Sequence, residues 1–174
     1  MRQVKYFVAS SLDNFISRLD GGMDCLFHDQ DYGMAEFFAS VDVAVMGRKT
    51  FAKMLELSPE APLFPGMKHY VFSRTLDSTP CKEVEFVRGD VAGWLTRVRA
   101  HCGKHIWLVG GGSLVQEFLE HKLINEIALP IHPRLLGKGI PLFASPYPEI
   151  ELELLRSQPY PTGLLQVFYR VRYA

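Results

Sequence analysis

The sequence predicts a three-layer αβα domain with a mostly parallel central sheet and an antiparallel hairpin at its carboxyl end. Over the first two-thirds of the chain, short apolar runs alternate with segments of helical periodicity. Such alternation requires right-handed crossovers between parallel strands that are covered by helices. The last third has consecutive strand-like segments instead, separated by a short turn. The 174 residues show no linker or repeat, so we expect one domain over 1–174.

The individual elements follow from residue spacing. Strands are expected where short apolar runs rich in β-branched residues end at glycine or polar residues, and helices where apolar residues recur every three to four positions. Pro130 and Pro133 indicate that their strand ends near a sheet edge or a bulge. The predicted strands are 4–9, 41–46, 68–72, 84–87, 106–109, 126–131, 151–157 and 165–173, and the predicted helices are 32–40, 51–57, 91–101 and 114–121.

The composition excludes several classes of function. Lys+Arg and Asp+Glu both number 19 and the basic residues form no cluster, which argues against general nucleic-acid binding. The six histidines and three cysteines have no metal-ligand spacing, so we expect no metal site. The odd number of cysteines fits a reducing compartment. The sequence contains no apolar run of the signal-peptide or membrane-spanning type. We therefore expect a cytoplasmic protein.

A glycine-rich turn follows one of the buried strands. Ile106–Val109 runs into Gly110, Gly111, Gly112 and Ser113, after which Leu114 begins an amphipathic helix. A helix start without Cβ atoms lets a phosphate approach the backbone N–H groups closely. Taken alone, the stretch fits a tight turn equally well. It is not a dinucleotide fingerprint of the G-x-G-x-x-G type, because Val115 stands where the third glycine belongs.

Two other strand ends carry cations and hydroxyl groups. One is Gly47-Arg48-Lys49-Thr50 and the other is Ser73-Arg74. Because ligands bind at the carboxyl ends of parallel strands, we expect both to share a crevice with the glycine-rich turn. The turn and Thr50 suit a pyrophosphate, and the two arginines suit the 2′-phosphate of NADPH. The predicted cofactor residues of these three strand ends are Gly47, Arg48, Lys49, Thr50, Ser73, Arg74, Gly110, Gly111, Gly112, Ser113 and Leu114.

The order of these motifs resembles the dihydrofolate reductase fold. Its RibD C-terminal branch, the reductase domain of the riboflavin-biosynthesis deaminase-reductases, is the most similar, and the resemblance covers nearly the whole chain. The zinc-binding deaminase half is absent, so we expect no deaminase activity. The motifs are Ala9-Ser10-Ser11-Leu12-Asp13-Asn14-Phe15-Ile16, Val45-Met46-Gly47-Arg48-Lys49-Thr50-Phe51, Val71-Phe72-Ser73-Arg74, Val109-Gly110-Gly111-Gly112-Ser113-Leu114 and the segment Pro133 to Phe143.

The resemblance implies hydride transfer from NADPH to a pyrimidine- or pterin-like substrate, as in 5-amino-6-(5-phosphoribosylamino)uracil reductase of riboflavin biosynthesis. It implies that the backbone of Ala9 contacts the nicotinamide amide and that Ile16 packs on the ring. Members of the family are often dimers, and the stretch Leu135–Pro148 with the terminal hairpin is the expected interface. Other activities stay open, namely dihydrofolate reductase-like chemistry on another acceptor and a non-catalytic nucleotide-binding or regulatory module.

Two carboxylates are the predicted catalytic residues. Asp31 precedes Gly47 by 16 positions, where the resemblance places an acid that binds and helps protonate a pterin. It equally suits the N-cap of the following helix. Asp13 matches the SLDG-type loop of the riboflavin branch, with Asn14 in place of glycine. The substrate-phosphate segment of riboflavin reductases is replaced here by the proline-rich stretch 58–66, which leaves the physiological acceptor open.

Overall fold

The computed structural model describes residues 1–24, 26–57, 63–75 and 84–173. In this part of the chain, no helix is both long and apolar enough to cross a lipid bilayer. The helices are α1 (Met34–Ser40), α2 (Arg48–Leu57), α3 (Val91–Arg99) and α4 (Gly112–Glu120). The strands are β1 (Val4–Phe7), β2 (Ser10–Ser11), β3 (Phe15–Ser17), β4 (Val41–Gly47), β5 (Lys68–Phe72), β6 (Val84–Val87), β7 (His105–Gly110), β8 (Glu126–His132), β9 (Ile140–Pro141), β10 (Glu151–Pro159) and β11 (Leu165–Arg172).

The large sheet is mixed and mostly parallel. Its strand order is β10-β11-β8-β1-β7-β4-β5-β6, and β2 pairs with β8 outside this path. Strands β8, β1, β7, β4, β5 and β6 run parallel. The hairpin β10–β11 is antiparallel and adds to β8 at one side of the sheet. The predicted fold class is therefore confirmed, and β7, β4 and β5 are direct neighbours, as the crevice hypothesis requires.

Each face of the sheet has its own apolar core. On one face, Ile106 and Leu108 pack with Trp94 of α3 and Phe118 of α4. On the other face, Met46 and Trp107 pack with residues of α1 and α2. The central strands are buried on both faces, which is why their sequences are nearly continuous apolar runs. The two layers of helices hold the carboxyl ends of the strands at one edge of the sheet.

The predicted first strand, 4–9, is divided in the structure. β1 stops with Phe7 opposite Ala128, and β2 resumes with Ser10 opposite Ile131. The gap lies opposite Pro130, which has no N–H to give to a neighbouring strand. The prediction of a sheet edge or a bulge at Pro130 is wrong. β8 lies between β1 and β11, and its register with β11 continues through Pro130.

A second, two-stranded sheet was not predicted. β3 pairs antiparallel with β9, and neither segment is among the strands predicted from the sequence. Backbone hydrogen bonds from Leu12 N to Arg134 O (2.9 Å) and from Leu142 N to Asn14 O (2.8 Å) extend this contact. The segment after β1 and the segment after β8 are therefore joined along most of their length.

Candidate active site at the carboxyl ends of the strands

Two helix starts meet at the carboxyl ends of β4 and β7. Met46 of β4 is in register with Gly110 of β7, so α2 and α4 begin side by side. A Cβ added to Gly111 would lie 3.3 Å from Thr50 Oγ1 and 3.4 Å from Gly47 Cα. Gly111 also has a φ of 100°, a conformation that L side chains rarely adopt. The close packing of the two helix starts therefore depends on glycine.

The turn before α4 is open on one side. Gly110 has a φ of 140°, and no atom of the described residues lies within 4 Å of a Cβ added to it. Ser113 is exposed, and Leu114 is buried beneath it. The first turns of α2 and α4 contain no acidic residue, and Arg48 and Lys49 lie exposed at the start of α2. Positive charge at a helix N-terminus is unfavourable unless an anion is near, so the arrangement suits an anionic ligand.

The end of β5 supplies the next pair of predicted residues. Gly47 and Phe72 are in register, so Ser73 and Arg74 follow directly beside the start of α2. Ser73 is buried; its N–H donates to Val87 O (3.2 Å), and its Oγ accepts from the N–H of Thr75 (3.2 Å). Arg74 is exposed. Arg48 and Arg74 thus follow adjacent strands at the same edge of the sheet.

Ala9 and Ile16 lie on the other side of the glycine-rich turn. Ala9 is half-buried in the gap between β1 and β2, and β1 is the direct neighbour of β7. Ile16, in β3, is partly buried against the core cluster that contains Leu114 and Leu142. The structure therefore brings the predicted cofactor residues to one edge of the sheet, with Ala9 and Ile16 at one end and Arg74 at the other.

Asp13 bridges the two joined loops. Its carboxylate accepts hydrogen bonds from Ser11 Oγ (2.6 Å), Leu136 N (3.0 Å) and Gly137 N (2.7 Å). The hydrogen bond from Ser11, followed by those from the two backbone groups, holds the pKa of Asp13 below its usual range. The group is therefore ionised near neutral pH, and its observed contacts are those of an anchor for the 134–137 segment.

Asp31 is exposed and lies just before α1. Its Oδ1 accepts from Ala35 N (2.9 Å), and its carbonyl oxygen accepts from Met34 N (3.0 Å). The N-cap of α1 is Gly33, so the predicted N-cap position of Asp31 is wrong, although its carboxylate accepts from an N–H group in the first turn of the helix. The carboxylates of Asp13 and Asp31 lie on separate segments, and each is engaged with backbone N–H groups.

Sequence reasoning missed a set of polar and aromatic side chains beside α1. His132 in β8 and Gln166 in β11 are almost fully buried. Gln166 and Phe168 are two positions apart in β11, so their side chains project from the same face of the sheet. Phe168 packs with the core on the α1 face. The sequence therefore contained one signal, a polar residue at a position where the alternation of the strand predicts an apolar side chain. His132 gave no such signal, because it lies between Pro130 and Pro133 at the end of its strand.

The fold and these strand ends define an α/β protein whose candidate ligand crevice lies at the carboxyl ends of its parallel strands. Residues 2–166 match the family model described as the RibD C-terminal domain, and the chain belongs to that family. It is 32% identical over 178 residues to a Bacillus subtilis protein named "Uncharacterized protein YyaP", with 97% of this chain and 94% of that protein covered.

Solved structures agree with this assignment. A crystal structure of a putative riboflavin biosynthesis protein from Shewanella sp. PV-4 superposes with a TM-score of 0.87 at 27% identity, covering 98% of this chain and 99% of that one. A pyrimidine reductase-like protein from Corynebacterium diphtheriae superposes with a TM-score of 0.73 at 16% identity, covering 99% and 93%, and shares the fold.

Proposed function

We propose that this protein is an NADPH-dependent reductase of the 5-amino-6-(5-phosphoribosylamino)uracil reductase type, acting on a pyrimidine- or pterin-like substrate in riboflavin biosynthesis. The observation that carries the proposal is the contact of two helix starts at Gly47 and Gly111, flanked by Arg48 and Arg74 on adjacent strand ends. Family membership supports a reductase-like role for this site.

The residues present fit the cofactor. The backbone N–H groups from Gly111 to Ser113, with Thr50, would hold the pyrophosphate, because a glycine-lined helix start admits phosphate oxygens without steric hindrance. Arg48 and Arg74 would hold the 2′-phosphate through paired, charge-assisted hydrogen bonds. Lys49 and Ser73 would add charge and one hydroxyl contact.

The remaining residues position the reacting groups. Bound NADPH supplies the hydride, and the protein contributes orientation and the exclusion of water. Ala9 would fix the nicotinamide amide through its backbone, and Ile16 would cover the ring. Asp13 would hold the loop that carries both, through its hydrogen bonds to the backbone of Leu136 and Gly137. Asp31 would meet the polar end of the substrate beside α1.

A titration of nicotinamide fluorescence tests the cofactor assignment. The wild-type protein is expected to bind NADPH in preference to NADH. Arg48→Ala combined with Arg74→Ala should remove that preference and weaken NADPH binding by about 10- to 100-fold, the range for lost hydrogen bonds to a charged group. Arg97→Ala, on the exposed surface of α3, is the matched control and should bind as wild type. Equal binding of NADPH and NADH by the wild-type protein would contradict the arginine assignment.

One observation favours a second candidate, a nucleotide-binding or regulatory module without catalysis. Both predicted catalytic carboxylates, Asp13 and Asp31, are engaged with backbone N–H groups. Oxidation of NADPH in the presence of a uracil- or pteridine-type acceptor, followed at 340 nm, distinguishes the two candidates. Turnover with any such acceptor rejects the module.

A second copy of the chain is the proposed partner. Among the described residues, β10 pairs on one side only, with β11. Leu152, Leu154, Leu155 and Leu165 of this hairpin are 44%, 55%, 40% and 39% exposed. A long edge strand with exposed leucines is favourable for association, because it offers both unpaired backbone groups and apolar surface. This supports a homodimer formed through the hairpin.

A further inference from the structure

The indole of Trp107 makes a hydrogen bond between two adjacent strands. Its Nε1–H donates to the carbonyl oxygen of Phe7 (3.1 Å), so a side chain of β7 is bonded to the backbone of β1. Trp107 is 6% exposed, and its ring lies 4.5 Å from the ring of Phe64 and 5.5 Å from that of Phe37, measured between centroids. Because its neighbours hold the indole firmly, the indole fixes the position of the carbonyl that it bonds.

This hydrogen bond lies where β7 separates from β1. The pairing of the two strands ends with Tyr6 opposite Leu108. Beyond that pair, β7 gains one residue relative to its other neighbour, β4. A further step of a parallel ladder would join the carbonyl of Phe7 to a backbone N–H of β7. The indole N–H of Trp107 takes the place of that backbone donor.

Both sides of one peptide group are therefore held. The carbonyl of Phe7 accepts from Trp107, and the N–H of Val8, which belongs to the same planar group, donates to a carbonyl oxygen of β8 (3.2 Å). Pairing with β8 resumes at Ser10. Ala9 lies between these two fixed points, outside the paired registers of β1 and β2. The direction of its backbone is consequently set by the groups on either side of it.

The separation of β1 from β7 coincides with a change in the direction of the chain connections. The chain passes from β1 to β4 through α1 on one face of the sheet, and from β7 to β8 through α4 on the other face. Adjacent strands whose connections leave toward opposite faces mark the place where open α/β sheets bind ligands. Ala9 follows one of these strands, and the glycine-rich turn follows the other.

We propose that Trp107 is a positioning residue for the reacting end of the cofactor. Its indole N–H sets the orientation of the Phe7–Val8 peptide group and, through it, the backbone of Ala9, to which the proposed function assigns the nicotinamide amide. The inference rests on that proposed function and adds to it a residue that acts through the backbone of β1. Loss of the indole N–H is therefore expected to affect the nicotinamide and to leave the phosphates of the cofactor unaffected.

The other tryptophan of the chain provides a matched control. Trp94 is 2% exposed and also lies among aromatic rings, 5.2 Å from Tyr70 and 5.5 Å from Phe72. Its Nε1 has no hydrogen-bond partner among the residues that the structure describes. Replacement by phenylalanine removes the same atoms at both positions, but it breaks a hydrogen bond to β1 only at Trp107.

Calorimetric titrations with NADPH and with 2′-phospho-ADP-ribose, which lacks only the nicotinamide, measure the effect. Trp107→Phe should weaken NADPH binding by about tenfold, the range for one buried hydrogen bond, and leave the affinity for 2′-phospho-ADP-ribose unchanged. Trp94→Phe should bind both ligands as wild type does. 3-Benzothienylalanine at position 107 replaces the N–H by sulfur and keeps the ring size, so it should reproduce the loss even where Trp107→Phe fails to fold.

Amide hydrogen exchange of the unliganded protein, followed by NMR, gives a readout that needs no cofactor. Loss of the indole donor at position 107 should accelerate exchange of the Val8 N–H by at least about tenfold, because the peptide group is then held on one side only. The N–H of Asn125, which donates to Val4 at the other end of β1 (2.9 Å), is the internal control and should be unchanged. Trp94→Phe should leave both amides as in wild type.

Three results would overturn the inference while the wild-type protein binds both ligands. They are wild-type NADPH affinity in both variants at position 107, an equal loss of affinity for NADPH and 2′-phospho-ADP-ribose, and unchanged exchange of the Val8 N–H. A wild-type protein that binds neither ligand would contradict the proposed function and, with it, the role of Trp107 toward the cofactor.

Discussion

The hydroxyl oxygen of Thr50 lies 3.3 Å from the position that a Cβ on Gly111 would occupy. Because Gly111 has no side chain, α4 begins directly against Thr50 and Gly47 at the start of α2. Two sets of free backbone N–H groups and two helix dipoles consequently meet at one place. A pyrophosphate, the group proposed to bind here, would therefore meet donors that are already in position.

Gly111→Ala should damage both stability and cofactor binding. The substitution places a side chain at a φ of 100° and against the backbone of Gly47. We expect a loss of about 1–3 kcal/mol in the free energy of unfolding, measured with urea, and a loss of NADPH binding. Gly66→Ala is the control: its φ is also positive, but no atom of the described residues lies within 4 Å of the added Cβ. NADPH binding by Gly111→Ala at wild-type affinity would contradict the proposed site.

Asp13→Asn should loosen the joined loops. The wild-type carboxylate accepts from Ser11 Oγ and from two backbone N–H groups, which lowers its pKa in the folded protein. Its contribution to stability is complete above the unfolded-state pKa, near pH 4, and is lost as the pH falls through the lower folded-state pKa. The Asn variant should have a lower Tm at pH 7 and a flatter dependence of Tm on pH below about 5. Asp20→Asn, whose carboxylate accepts from Gly22 N, is the exposed control. Identical profiles for wild type and Asp13→Asn would rule out the anchoring role.

Because the folded protein keeps the His132 ring neutral, the protein should be less stable in mild acid than at neutral pH. Burial is the main cause of its lowered pKa, and the charges of Arg134 and His28 act in the same direction. The unfolded chain binds a proton below about pH 6.5 that the folded protein excludes. The stabilisation is therefore complete above that pH and is lost as the pH falls through the folded-state pKa, by at most about 1.4 kcal/mol per pH unit for one histidine.

Urea unfolding at pH 7 and pH 5 measures this effect. His132→Phe should reduce the difference in unfolding free energy between the two pH values. His105, whose pKa is also lowered by burial, should account for part of the dependence that remains. His101→Phe, at an exposed position, is the control. An unchanged pH dependence in His132→Phe would contradict the buried, neutral assignment.

Leu152→Lys with Leu154→Lys should abolish association through the hairpin. Both leucines lie in the edge strand β10 and are largely exposed. Light scattering should give a dimer mass for the wild type and a monomer mass for the double variant, because buried lysines at an interface lose hydration without gaining partners. Leu57→Lys, an exposed leucine at the end of α2, should remain dimeric. A monomeric wild-type protein would remove the proposed partner.

The sequence was informative where local pattern decides structure. Strands β4 and β7 are buried on both faces, so their sequences are apolar runs that are easily identified. The glycines that follow them were also informative, because only glycine fits the close contact at Gly111. The start of α2 at Arg48 was missed because two cations at a helix N-terminus are unfavourable in isolation. The anion site proposed beside this helix start would supply the missing reason.

The remaining features depend on contacts between distant parts of the chain. Asp13 meets Gly137 across 124 residues, and its role as an anchor becomes visible only when β2 is seen to pair with β8. Pro130 also could not be placed from the sequence alone. The rule that confines proline to sheet edges and bulges takes no account of the neighbouring strand, and here β1 is interrupted opposite the proline. Gln166 and His132 likewise become neighbours only through the register of β11 on β8.

The hydrogen bond between Asp13 and Gly137 also has a consequence for how the protein is made. It closes a loop of most of the chain, so its entropic cost is repaid only after β1, β7 and β8 have paired. The end of the crevice that is proposed to hold the nicotinamide should therefore form late in folding, when the carboxyl-terminal third has been synthesised. On the proposed assignment, a nascent chain that has formed the two helix starts around Gly47 and Gly111 would have its phosphate site before its site for the reacting ring.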